Sequence, residues 1–234
     1  MIVYLNEGNL MIKTLSAFSK LQMKVKSVNR GEARLVDWRG KQVKTGIFKY
    51  SVEGAVFLGT EDVVDDAVVD RKYHGGVDKA VYAYSSDHYP FWKEQFPELD
   101  WSLGMFGENL TIEGLDESSM HVGSVFQVGK AQIQVCQPRQ PCFKLGVRFG
   151  TQSILKKFVN SSYPGVYFRV LKPGEVQKGD QLHLVCEESG SPSIAEVYLL
   201  TYAKQNGADE LIEKAINCKF LPKGIRETIS KTQG

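Results

Sequence analysis

Cysteine is sparse in this chain, and no two cysteines stand at metal-binding spacing. Cys136, Cys142, Cys186 and Cys218 are scattered over 234 residues without one C-x-x-C pair. That excludes a disulfide-stapled secreted fold and a zinc ribbon, both of which need denser, more regular sulfur. An excess of one charge is also missing. Against 29 Lys and Arg stand 27 Asp and Glu, a formal net charge of +2, and no dense basic block marks a general nucleic-acid binder. No apolar run approaches the roughly 18 residues of a membrane-spanning helix. No G-x-G-x-x-G fingerprint offers a dinucleotide site, so the chain is not expected to take hydride from a nicotinamide by itself. Internal repeats and low-complexity tracts are absent as well.

Residues 1–22 lack a strong cationic start, and Asn, Glu, Gly and Lys break their apolar stretches, which makes a poor signal peptide. They read as an N-terminal extension, with a packed amphipathic segment as the alternative, and the chain reads as cytoplasmic. The remainder has ordinary globular composition, 42% hydrophobic and 24% charged, and enough length for one large or two small domains with a real core.

From Met23 the pattern is of short strands and frequent turns. Lys24–Val28 alternates charge and apolar side chains with period two. Trp38–Lys41 is a turn, a short strand comes next near Phe48, and residues 54–59 form a brief apolar run bounded by glycines, a buried-strand pattern. Glu61, Asp62, Asp65, Asp66 and Asp70 are irregularly spaced and read as solvated surface. Ala80–Tyr84 is a strand. Ser86 caps a helix whose Tyr89, Trp92 and Phe96 lie at core spacing and which ends at Pro97. Residues 124–128 and 131–135 flank Gly129-Lys130 and make the clearest hairpin. Thr151 opens a helix carrying Ile154, Leu155, Phe158 and Val159. Alternation returns over residues 165–171, and 181–185 is a last strand. The polar stretch 187–192 has no periodicity and marks a domain boundary. Beyond it come three short helices, 194–204 capped by Ser193, 209–217, and a third near Ile225–Ile229 opened by Pro222. The division expected is an extension over 1–22, a strand-rich domain over 23–190 and a three-helix segment over 191–234.

Three polar islands carry chemistry. In Gln137–Leu145, QPRQPCFKL, two prolines stiffen a loop that holds Cys142 between Arg139 and Lys144. The thiolate is the nucleophile and soft metal ligand, and nearby cations ease its charge. Cys142 therefore reads as a reactive or metal-bound sulfur, or as a small hydrophobe at a strand-to-helix corner. In Tyr73–Tyr82, His74 precedes Gly75 and Gly76, whose backbone can meet an anion, and Lys79 comes after them. In Phe106–Thr111, Gly107 suits a bulge or close ligand approach, and Glu108 and Asn109 offer groups that read a heterocycle edge, or else finish a capped turn.

Taken together, KTGIFK at Lys44–Lys49, HGGVDKAVYAY at His74–Tyr84, FGENLT at Phe106–Thr111 and QPRQPCFKL resemble the MOSC proteins, and within them the YiiM type. The likeness runs over about residues 23–231. It implies a mainly β fold with some α, an irregular closed MOSC β-barrel followed by the three-helix segment. It implies a molybdenum cofactor whose metal takes a sulfur from the cysteine matching Cys142, with His74, Gly75, Gly76, Lys79, Gly107, Glu108, Asn109, Arg139 and Lys144 around the cofactor. The function implied is reduction of N-hydroxylated compounds, such as N-hydroxylaminopurine-type base analogues, to amines. Electrons would come from an external donor, a flavoprotein or similar. A carrier of the cofactor, or of persulfide sulfur on Cys142, is the competing reading.

Overall fold

The structure is a computed structural model that describes residues 22–234. Apart from residue 22, the expected N-terminal extension lies outside the described residues. Alternating burial builds the first strand, β1 (Lys24–Arg30), in which Lys24 and Lys26 face solvent while Val25 and Val28 are buried. Next come β2 (Arg34–Trp38) and β3 (Lys41–Thr45), a separate two-stranded ribbon joined at the expected turn. The strand expected near Phe48 lies two residues later, at β4 (Tyr50–Ser51), and β5 (Val56–Leu58) is the glycine-bounded run.

The first helical turn, α1 (Arg71–His74), leads through a 3-10 turn to β6 (Val81–Ser85). Ser85, not Ser86, caps the next helical stretch. That stretch is a 3-10 turn continuing into α2 (Tyr89–Gln95), which carries a proline in its first turn, where the missing N–H costs nothing. β7 (Leu110–Glu113), β8 (Val125–Val128) and β9 (Ala131–Pro138) precede α3 (Phe143–Arg148) and α4 (Ser153–Asn160). β9 outruns its hairpin partner because β10 (Val166–Lys172) continues the ladder, pairing Gln137 with Tyr167 and Pro138 with Val166. β11 (Gly174–Val176) pairs with β5, and β12 (Leu182–Cys186) with β8.

Eight strands form one mixed sheet in the order β12-β8-β9-β10-β6-β7-β1-β4. Its neighbours are antiparallel except β6 and β7, which run parallel. Register shifts in β1, β10 and β12 bend it. Backbone bonds from Val25 N to Asp180 O and from Leu182 N to Met23 O tie β1 to the approach to β12. The fold is thus mixed α/β, a large mixed sheet with seven α-helices among the described residues.

The last three helices are α5 (Ile194–Tyr202), α6 (Asp209–Asn217) and α7 (Lys223–Gln233). Ser193 and Glu196 form a reciprocal capping box at the start of α5. Ile194, Val197, Leu200, Leu221, Ile225 and Ile229 belong to the same buried cluster as Val25, Ile112, Ile133 and Phe168 of the sheet. A second, aromatic cluster joins Tyr82, Tyr84, Tyr89, Trp92, Phe106, Phe149 and Phe158. It backs the region where the polar islands meet. No helix among the described residues is long and apolar enough to cross a membrane.

Candidate functional site

The thiol of Cys142 sits where β9 gives way to α3. Cys142 is extended, with φ −123° and ψ 167°, and occupies the N-cap position of that helix. Leu145 and Phe149, both buried in the aromatic cluster, anchor the helix, so the position of the sulfur is set by packing one turn away. Its Sγ lies 3.4 Å from His74 Nε2, contributed by the end of α1.

Around this pair an inner chamber of ≈ 80 Å³ is lined by residues far apart in sequence, among them Lys49, Asp66, Lys79, Tyr82, Asn109 and Arg139. One wall exists because Gly46 lies against the Ala67 carbonyl; a Cβ on Gly46 would come within 2.0 Å of that oxygen. Gly107, also in the lining, has φ 75°, which favours glycine, and a Cβ there would meet the Ile47 side chain at 3.0 Å.

Arg139 is the central cation. It is 6% exposed, donates to the Phe106 carbonyl, and lies 4.8 Å from the Tyr82 ring centre and 5.8 Å from that of Phe158. Among the described residues no carboxylate pairs with it. An unpaired buried charge costs on the order of several kcal/mol unless an anion answers it. Lys79 donates to the Tyr73 carbonyl at 2.6 Å, and burial, opposed by Cys136, Asp78 and Cys142, lowers its pKa. Lys144 is 3.6 Å from Asp70. His74 is held neutral at physiological pH: burial first, then Arg139, Lys144 and Lys79, bring it down to about 4.

Seven of the ten expected site residues line this chamber: His74, Lys79, Gly107, Asn109, Arg139, Cys142 and Lys144. Gly75 and Gly76 do not, although Gly76 has φ 87°; they turn the chain between His74 and the 3-10 turn that carries Lys79. Glu108 is fully buried behind the wall. Its carboxyl accepts from Tyr89 Oη, Thr111 Oγ1 at 2.8 Å, Gly104 N at 3.0 Å and Phe106 N at 3.1 Å. Burial raises its pKa, against those donors.

The acidic run also needs correction. Asp66 is not solvated surface: its side chain is 2% exposed, paired with the Lys49 ammonium, and it accepts from Gly31 N at 3.0 Å and the Asn109 amide at 2.8 Å. Lys49 closes the KTGIFK motif and was the readable signal; Asp66 stood among four similar acids with nothing to mark it.

A wider outer chamber of ≈ 350 Å³ adjoins the inner one and shares Asp70, His74, Lys79, Cys142, Lys144 and Tyr167 with it. The sulfur therefore faces both. Four cations, Lys49, Lys79, Arg139 and Lys144, stand against two carboxylates, Asp66 and Asp70, an excess suited to an anionic ligand.

The MOSC domain family matches residues 70–183. Uncharacterized protein YflK of Bacillus subtilis is 44% identical over 161 residues, 69% of this chain and 72% of that protein. The crystal structure of YiiM from Geobacillus stearothermophilus superposes with a TM-score of 0.74 at 31% identity, covering 91% of this chain and all of that one. The chain belongs to the MOSC family, as a YiiM-type member. A protein of Gibberella moniliformis named "Reductase" is 32% identical across 78% of this chain, which spans 32% of that longer protein. The span matched by the MOSC family holds all three polar islands, with His74, Glu108 and Cys142 among their residues, while KTGIFK lies before it.

Proposed function

We propose that this YiiM-type MOSC protein binds a molybdenum cofactor in the inner chamber and, in the cytoplasm, reduces N-hydroxylated compounds to amines. The observation that carries the reading is Arg139, a buried guanidinium without a carboxylate partner among the described residues, lining one chamber with the free thiol of Cys142. The donor set fits such a cofactor. Among the described residues no three His, Cys, Asp or Glu side chains cluster to hold a bare metal ion, so a metal here would bring its own chelator and take one soft thiolate from Cys142. Arg139, Lys79 and Lys144 would hold the anionic part, and Asn109 a polar edge.

When bound, the group supplies a two-electron redox centre. The protein supplies the rest. Cys142, which lines both chambers, would hold the metal end through its sulfur. Neutral His74 can hold or pass a proton at Nε2 beside that end. The aromatic cluster beneath Arg139 excludes water and keeps the cation in place. The net reaction, R–NH–OH with two electrons and two protons giving R–NH₂ and water, draws its electrons from an external donor, a flavoprotein or similar.

Protein made in a host that synthesises molybdopterin is expected to contain molybdenum and to release a fluorescent pterin on oxidation. It should also reduce an N-hydroxylated purine with a chemical reductant. Cys142→Ser should lose most of the metal and nearly all turnover while keeping its fold. Zinc without pterin would overturn the cofactor assignment. Loaded protein that reduces nothing with any donor would leave a carrier.

A further inference from the structure

The ribbon of β2 and β3 stands apart from the large sheet, its strands pairing only with each other among the described residues. Its register sets Arg34 opposite Thr45, Val36 opposite Val43 and Trp38 opposite Lys41, and residues directly opposite share a face. That face therefore joins exposed Arg34 and Lys41 to half-buried Val36, Val43 and Trp38. The Arg39 guanidinium lies 5.6 Å from the Trp38 ring centre. At the root of the ribbon Arg34 and Arg148 share two rings: they lie 4.5 and 5.1 Å from the centre of Phe48, and 5.7 and 5.0 Å from that of Tyr50. Arg148 donates to Tyr50 Oη at 3.2 Å and to Ser102 Oγ at 3.3 Å, while its buried Nε has no hydrogen-bond partner among the described residues. None of Arg34, Arg39, Lys41 and Arg148 pairs with a carboxylate among the described residues. The one acid of the ribbon, Asp37, is on the other face, opposite Gln42, whose amide donates to it.

In a chain whose charges nearly cancel, 29 cationic residues against 27 acidic, four cations around one aromatic face without an acid form a local positive patch. Arginine beside tryptophan and tyrosine is the composition of binding hot spots, and the charge selects an acidic partner. The same strand runs into the site. Thr45, Gly46, Ile47 and Lys49 line the inner chamber, and Lys41 at the far end of β3 is only about 13 Å of extended strand from Thr45. We propose that this face of the ribbon docks an acidic, flavin-carrying protein that delivers electrons to the chamber. The proposal rests on the reading of the chamber as a reducing site, and supplies the place where its donor binds. Reduced flavin, on becoming oxidised, gives up the two electrons and two protons that R–NH–OH takes in to become R–NH₂ and water.

The test drives loaded full-length protein on an N-hydroxylated purine with reduced flavodoxin, a small acidic protein carrying FMN, and in parallel with reduced methyl viologen. Wild-type KM for flavodoxin should climb as sodium chloride rises to about 0.3 M, because salt screens charge pairing. Arg39→Glu/Lys41→Glu should raise that KM at least about fivefold at low salt and flatten its salt dependence, with Arg39→Gln/Lys41→Gln in between. Turnover with methyl viologen, molybdenum content and Tm should stay at wild-type values, which a loss of structure would not allow. The control Lys172→Glu, at the opposite end of β10 from the chamber's Tyr167, should match wild type. A charge-reversed variant within about fivefold of wild type, one that loses methyl viologen turnover equally, or wild-type protein that methyl viologen drives and flavodoxin does not, would overturn the docking face. Unaltered flavodoxin kinetics with loss of a dimer, or of bound single-stranded DNA, would overturn it too and give the face to a second copy or to nucleic acid. Calorimetric binding of oxidised flavodoxin by wild type but not by the charge-reversed variant, in loaded protein that reduces no N-hydroxylated compound, would keep the docking face and remove the proposed reaction.

Discussion

Two cysteines six positions apart meet opposite fates. Cys136 lies on β9 and is fully buried, and burial pushes its thiol up to about 12. Because this folded value lies above the unfolded one, folding favours the neutral thiol. The contribution is present below the unfolded pKa and is lost as pH rises toward about 12. Cys142 is half-buried and opens on both chambers. In cofactor-free protein at about pH 8, iodoacetamide should label Cys142, and exposed Cys186, while leaving Cys136 untouched until the chain unfolds. Peptide mapping reads this directly, and labelling of Cys136 in folded protein would contradict its burial. Cys136→Ser should cost about 1 kcal/mol as a buried polar substitution, read as a lower urea midpoint, and keep most of the activity. The contrast was legible from neighbours in the sequence: Arg139 and Lys144 flank Cys142, whereas Cys136 ends an apolar strand. That Arg139 itself is buried and has no carboxylate partner among the described residues was not legible, because its surroundings, Tyr82, Phe106 and Phe158, come from three other segments.

Elements that keep one face to solvent were readable, and those placed only by tertiary contacts were not. β1 and the β8–β9 hairpin alternate, so sequence and structure agree there to within a few residues. The helices α1 and α3, four and six residues long, are too short for periodicity to mark, yet they deliver His74 and Cys142. The Phe106–Thr111 island was readable as important but not in its division of labour. Gly107 and Asn109 face the chamber, and Glu108 ties the turn to α2 from behind through Tyr89. Glu108→Ala would strip the acceptor from four donors around a fully buried side chain. The expected cost is about 3 kcal/mol or more, measured by urea unfolding, with molybdenum content per folded molecule unchanged. A variant of normal stability that loses the cofactor would instead make Glu108 a direct cofactor contact.

At the scale of the whole molecule, the polar stretch 187–192 read as a boundary between two domains, but the core does not stop there. Ile194, Val197, Leu200, Leu221, Ile225 and Ile229 complete the cluster begun by the sheet. Arg169 on β10 reaches both ways, donating to the Phe220 carbonyl at 2.8 Å and to Asp78 at 2.6 Å, and Asp78 precedes the chamber's Lys79. The helical segment therefore braces the site as well as the sheet. Burying one such aliphatic side chain is worth roughly 1.5–3 kcal/mol. Removing six partners at once therefore forfeits a sum comparable with the ~5–15 kcal/mol by which a whole domain is stable. A chain ending at residue 190 should accordingly be insoluble, or soluble without a cooperative thermal transition, and should retain no molybdenum. A fragment that unfolds cooperatively near the full chain's Tm would show that the sheet is an independent domain and that the helices merely dock on it. Arg169→Leu tests the brace without deleting the core: it should weaken cofactor retention while leaving a cooperative, if lower, transition, because it cuts the link from Phe220 to the turn that carries Lys79.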